Sequence, residues 1–326
     1  MLLHILVGAL CSHPMLLHNE SLLKKTWEQL SRRDNTLLAA VADLEAEARG
    51  HLFAGPFAVT ASASVPPSGD KHDYVSIGVY WWPCARTPGL SACDLDACVH
   101  SACNCSSADI CNRTGDHCDT RTGLPWQSCD GHENRKQIQE GGLPQLAGLN
   151  AAVTALANAF YWTRNQTYAE RAVHLISVFF LENATAMNPN FNYGQSLGFP
   201  CEPPACPAPG VPPGSGSGLV EIDSTLTNVL EAISLITRPA PCAPVASGKP
   251  CVGSPAWTAQ HDKAMTEWLT RWSGWMKETN FSTWACNYRN VRAHASCSVC
   301  TCCASITVRL LSTWIPVANQ RIEHTA

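Results

Sequence analysis

Two apolar stripes joined by a very short link constrain this chain more than any other feature. Leu146, Leu149, Val153, Leu156, Ala159 and Phe160 recur at helical spacing, and so do Tyr168, Ala172, Leu175, Ile176, Phe179 and Phe180. The Trp162–Gln166 link between them leaves room only for a reversal, so the pair reads as an antiparallel helical hairpin. The same texture recurs along the chain. Leu22, Leu23 and Leu30 mark a first helix, and Leu37, Leu38, Val41 and Leu44 a second, with Asp34 as its cap. An extended segment runs from Val59 to Val65. A further helix begins near Asp223 and carries Leu226, Val229, Leu230, Ile233 and Ile236. Another covers Pro255–Lys277 with Met265, Trp268, Leu269, Trp272 and Met276, and the spacing of Trp268, Trp272 and Trp275 assigns those rings to the core. The expected fold class is therefore all-α, built from antiparallel helix pairs with long loops between them.

A chain of 326 residues, 45% hydrophobic, can bury a full core, most simply as one domain. With 15% charged residues and a net charge of -4, it offers no basic field for nucleic acid. It has no apolar run long enough to span a bilayer. An anionic partner would have to be met by a local cluster of Lys, Arg and His. Nothing in the sequence calls for a cofactor.

The chain holds 18 cysteines, a load suited to an oxidising compartment. Cys84, Cys93, Cys98, Cys103, Cys105, Cys111, Cys118 and Cys129 crowd one Gly/Asp/Ser/Thr-rich segment, residues 84–129, without periodicity. That even count reads as a disulfide-stapled knob whose pairing the sequence leaves open. The alternative, a metal site, is disfavoured because paired C-x2-C units are missing there. Cys201 and Cys206 form an expected local bridge in a Pro/Gly/Ser segment, and Cys242 and Cys251 flank a second Pro-rich loop. Asn-x-Ser/Thr sequons stand at Asn19, Asn104, Asn112, Asn165, Asn183 and Asn280. Residues 1–12 contain a short apolar run with small residues at Val7-Gly8-Ala9, so they read as a signal peptide or as the buried first turn of a helix. Cysteines and sequons together point to secretion.

The chemistry concentrates in Ser68–Pro83. Lys71, His72, Asp73, Tyr74, Tyr80, Trp81 and Trp82 place charged and hydroxylated groups beside two large flat rings. Such rings stack on the apolar faces of sugars while polar groups fix hydroxyls and carboxylates. The plainer reading is an edge strand with a buried Trp pair before a turn at Pro83. A second stretch, Met187-Asn188-Pro189-Asn190-Phe191-Asn192-Tyr193-Gly194-Gln195, is dense in amides around an aromatic core, and Gly123–Asn134 lies between the two in sequence. Together, and in this order, the three stretches resemble the motifs of the alginate lyase family of polysaccharide lyases. The resemblance runs from about His13 to about Trp284.

That resemblance implies an incomplete α/α toroid over residues 13–285, with the Cys-rich segment as an insertion, followed by a divergent tail over 286–326. It implies an acidic, alginate-like polysaccharide as partner, cleaved by β-elimination. In that reaction a base takes the proton on carbon 5, an acid protonates the leaving oxygen, and a neutralised carboxylate stabilises the enolate-like intermediate. Lys71, His72, Tyr80, Trp81, Trp82, Asn192 and Gln195 are the implied substrate-binding residues, and Tyr193 and Asn287 the implied catalytic ones. The family's Asn-Asn-His motif is matched here only in its first Asn, by Asn287 within Cys286-Asn287-Tyr288-Arg289. Its later Arg and Tyr find no counterpart in the residues that follow. The competing reading is a relative that binds the glycan without cutting it. In the tail, Cys286, Cys297, Cys300, Cys302 and Cys303 favour disulfides over zinc, and a spliced or misassembled segment over either.

Overall fold

The structure is a computed structural model that describes residues 13, 15–66, 68–79, 81–83, 117–119, 124–128, 133, 135–139, 141–197, 219–239 and 253–278. The described part is mostly helical. Its long helices are α1 (Glu20–Ser31), α2 (Asn35–His51), α4 (Leu143–Thr163), α5 (Gln166–Phe180), α6 (Leu219–Thr237) and α7 (Ala259–Glu278), with the single-turn α3 (Arg135–Ile138) between α2 and α4.

The caps explain where the helices begin. Asp34 accepts from Thr36 N at 3.0 Å and Leu37 N at 3.1 Å, as the sequence indicates. Asn165 caps α5 by accepting from Thr167 N at 3.1 Å. Arg164, at φ 58, ends α4 in the left-handed conformation with its N–H on Phe160 O at 2.7 Å. The α4–α5 reversal thus occupies Arg164 and Asn165, and the expected hairpin is present.

Helix α4 is apolar nearly all round and is accordingly the buried centre of the bundle. Leu146, Leu149, Val153, Leu156 and Phe160 are fully buried. It packs against α5, α6 and α2. Helices α1 and α2 close one side and bury less than their leucine spacing predicts. Leu23 and Ala48 are buried, but Leu22 is 60% and Leu38 43% exposed. An edge helix needs only a narrow stripe against its neighbours, so the extra leucines face outward. Helix α6 starts at Leu219, ahead of the expected Asp223, and α7 starts at Ala259 rather than Pro255. The segment expected to be extended from Val59 opens with a 3-10 turn, Val59–Ala61.

The all-α expectation needs one amendment. Among the described residues five short strands are present: β1 (Val75–Ile77), β2 (Trp81–Pro83), β3 (His117–Asp119), β4 (Leu124–Ser128) and β5 (Tyr193–Leu197). β1 pairs in parallel with β5, and β2, β4 and β3 form an antiparallel sheet. β1 and β2 fall where the plainer reading of Ser68–Pro83 put an edge strand, whereas strands of three to five residues such as β3, β4 and β5 are too short to show a period of two. β3 and β4 lie in or against the Cys-rich segment, where Cys118 stands opposite Pro125. The remaining cysteines of that segment, residues 1–12 and residues 286–326 lie outside the described residues.

Candidate functional site

The loop that begins at Ser68 is built around a buried carboxylate. Asp73 accepts from Ser68 Oγ at 2.7 Å, Asn188 Nδ2 at 2.8 Å and Asn190 Nδ2 at 3.0 Å. Asp70 accepts from His72 N at 2.9 Å and Asn188 Nδ2 at 2.9 Å. The His72 N–H, then the Asn188 amide, hold the Asp70 carboxyl below its usual range. The amides of the second motif therefore fold the first motif into shape.

His72 is anchored at one nitrogen. Its Nδ1 lies 2.7 Å from Ala186 O, and a carbonyl only accepts, so Nδ1 carries the proton. In the neutral ring Nε2 is then the basic nitrogen, on a half-buried side chain. The backbone closes the same contact, with Asn188 N donating to His72 O at 2.8 Å. Lys71 beside it is exposed.

Beneath these loops runs a column of rings. Tyr74 stacks on Phe191 with centroids 4.3 Å apart, Phe191 meets Trp272 edge-on at 6.2 Å, and Trp272 lies between Trp268 at 5.4 Å and Trp275 at 5.0 Å. Trp268 donates to Met187 O at 2.8 Å. Trp275 departs from its expected place. It is only half-buried, and its Nε1 donates to Asn192 Oδ1 at 2.7 Å, so it reaches from α7 to the amide loop. Helical spacing alone cannot separate a core ring from one at the rim of the core.

A residue the sequence reading did not single out sits where the motifs meet. Glu221, near the start of α6, accepts from Tyr74 Oη at 2.8 Å, Ser76 Oγ at 2.7 Å and Gln195 Nε2 at 3.2 Å. Burial pushes its carboxyl above the ordinary range, and the three donors pull it part of the way back. Burial and the Glu221 carboxylate push the Tyr74 phenol far up, so it stays a donor. No periodicity marks such a residue; only the folded contact reveals it.

Of the implied site residues, the structure brings Lys71, His72, Asn192, Tyr193 and Gln195 into one loop cluster, with Tyr193 opposite Val75 in the β1–β5 pair. Trp81 and Trp82 form β2, in a sheet separate from β1–β5, and pair with Ser128 and Gln127 of β4, so the third motif meets the end of the first. Tyr80 and Asn287 lie outside the described residues. Among the described residues, no cluster of His, Cys, Asp and Glu could hold a metal ion, and no helix is long and apolar enough to cross a membrane.

A mostly helical bundle that presents amide and aromatic loops at one place defines the class. The alginate lyase family matches residues 58–308, most of the chain, and the chain belongs to that family. Among solved structures, it is similar to an alginate lyase from Bacteroides ovatus, with a TM-score of 0.64 and 24% identity. That likeness covers 95% of this chain but 64% of the other, so this chain spans less than two thirds of that protein. A search of curated proteins finds no match.

Proposed function

We propose that this protein is a polysaccharide lyase that binds an acidic, alginate-like uronate polymer across the 70–73 and 188–195 loops and cleaves it by β-elimination. The observation that carries the reading is the convergence of motifs far apart in sequence. Asp73 gathers the Asn188 and Asn190 amides, and Val75 pairs with Tyr193, which leaves Lys71 and His72 on the same loops. Lys71 supplies a positive charge for a uronate carboxylate, and Asn192 and Gln195 supply amides for hydroxyls. Tyr193 is assigned the proton transfer and Asn287 the neutralisation of the carboxylate. The paired helices belong to an incomplete α/α toroid whose concave face holds these loops, and the protein acts in the secretory or extracellular space.

A second reading, binding without cleavage, rests on one observation: no Asn-His follows Asn287. The test is the ultraviolet absorbance of the unsaturated uronate product from polymannuronate and polyguluronate, with glycan binding measured alongside. Product formation that falls ~10²–10⁴-fold in Tyr193→Phe supports the lyase with Tyr193 in its assigned role. Binding without product supports the second reading. Neither binding nor product overturns both.

A further inference from the structure

We propose that Glu221 is the positioning residue of the glycan site, holding Gln195 in place and, through a bulge, Tyr193 with it. Its consequence for catalysis rests on the polyuronate reading above.

The β1–β5 pair is irregular where it matters. Val75 faces Tyr193 and Ile77 faces Leu197, so Ser76 alone intervenes on β1 while Gly194, Gln195 and Ser196 intervene on β5. A bulge of this kind re-aims the side chains beside it. At its centre Gln195 takes φ 55, a left-handed conformation that a residue with a side chain adopts only when its surroundings enforce it. The enforcement is visible. Gln195 N donates to Ser76 Oγ at 2.7 Å, and that hydroxyl in turn donates a hydrogen bond to Glu221 Oε2 at 2.7 Å. Gln195 Nε2 reaches Glu221 Oε1 at 3.2 Å, and Tyr74 Oη donates to Oε2 at 2.8 Å. Backbone and side chain of Gln195 are thus both tied, directly or through Ser76, to one carboxylate carried by α6. Tyr193 stands two positions before Gln195, at the mouth of the bulge. Glu221 therefore couples a rigid helix to the irregular strand that presents the implied catalytic phenol.

Glu221→Gln and Glu221→Leu separate positioning from other roles. In Glu221→Gln the amide oxygen still accepts from Tyr74 and Ser76, and the Gln195 amide can turn over to accept from the new NH2, so all three contacts survive without charge. In Glu221→Leu none survives. Hydrogen exchange of the amides in 193–197 reads the position of the strand whether or not the protein turns over. We expect faster exchange there in Glu221→Leu and in Ser76→Ala, with α4 and α5 as protected as in the wild type, and wild-type exchange in Glu221→Gln. Affinity for a mannuronate oligosaccharide should fall ~10-fold in Glu221→Leu and be rescued in Glu221→Gln. Unchanged exchange at 193–197 in both Glu221→Leu and Ser76→Ala overturns the proposal. So does a Glu221→Gln chain as impaired as Glu221→Leu, which would give the carboxylate charge or its proton the leading part. If the wild type neither binds nor cleaves any polyuronate, the proposed function fails, while the exchange data still decide the role of Glu221.

Discussion

Single residues carry tight constraints in this site. Gly142 is one. Its N–H bonds Val75 O at 2.7 Å, and a Cβ there would stand 2.8 Å from the Tyr74 ring. The start of α4 can approach β1 only because that side chain is missing. Gly142→Ala should cost about 1–3 kcal/mol, read as a lower denaturant midpoint, and should weaken glycan binding because Tyr74 is displaced from Glu221. Asp73 is another, since its carboxylate answers three donors. Asp73→Ala leaves the Asn188 and Asn190 amides without that acceptor, and about 1–3 kcal/mol of stability should go with it. Unfolding of the variant with an unchanged midpoint would show that the loop is held by other means.

At the scale of elements, the N-terminal segment is fastened to α6 by a carboxylate. Glu231 accepts from Leu16 N at 2.6 Å, Leu17 N at 3.2 Å, His18 N at 3.0 Å and His18 Nδ1 at 2.5 Å. Arg238 adds a contact to Glu20 and another to His13 O, and His13 meets the buried Asp262 at 2.9 Å. Burial raises the Glu231 carboxyl, but the His18 ring and the three N–H groups outweigh it, so its value lies below the ordinary 4.5. A carboxyl depressed in the fold stabilises above its unfolded value and loses that contribution as pH falls through the folded one. The wild type should therefore lose stability on acidification below pH 4.5, and Glu231→Ala should flatten that part of the stability–pH curve. Identical slopes in the two chains would remove Glu231 from the clasp.

The elements also show what was legible beforehand. The α4–α5 hairpin was, because two stripes and the short Trp162–Gln166 link leave one arrangement. The Asp34 cap was, because a carboxylate before an apolar repeat has one local use. An edge strand before Pro83 was legible too, and β1 and β2 stand there, but its partners were not, since β1 and β5 pair across more than a hundred residues of sequence. Trp275 and Glu221 were not, since each acquires its role from a partner on another element. The motif residues Lys71, His72, Asn192, Tyr193 and Gln195 were legible as a set through the resemblance of their two stretches to alginate lyase motifs. The residue that ties several of them down was not, because the expected helix began near Asp223 and left Glu221 in the loop before it.

At the scale of the molecule, the helices form the frame and the irregular segments carry the proposed site. The ring column from Tyr74 through Phe191 to Trp272 joins the two, so the loops rest on the core rather than on solvent. In the proposed function, the exposed Lys71, the half-buried His72 and the nearby amides are matched to a uronate carboxylate and its hydroxyls. Calorimetric titration of the whole chain with a saturated mannuronate oligosaccharide, against a neutral glucan of equal length, tests that match most directly. The acidic oligosaccharide should bind, the neutral one negligibly, and binding should be roughly tenfold weaker in Lys71→Ala and in His72→Ala, each having lost one polar or charged contact. Equal affinity for both glycans, or acidic binding untouched by either substitution, would contradict that match.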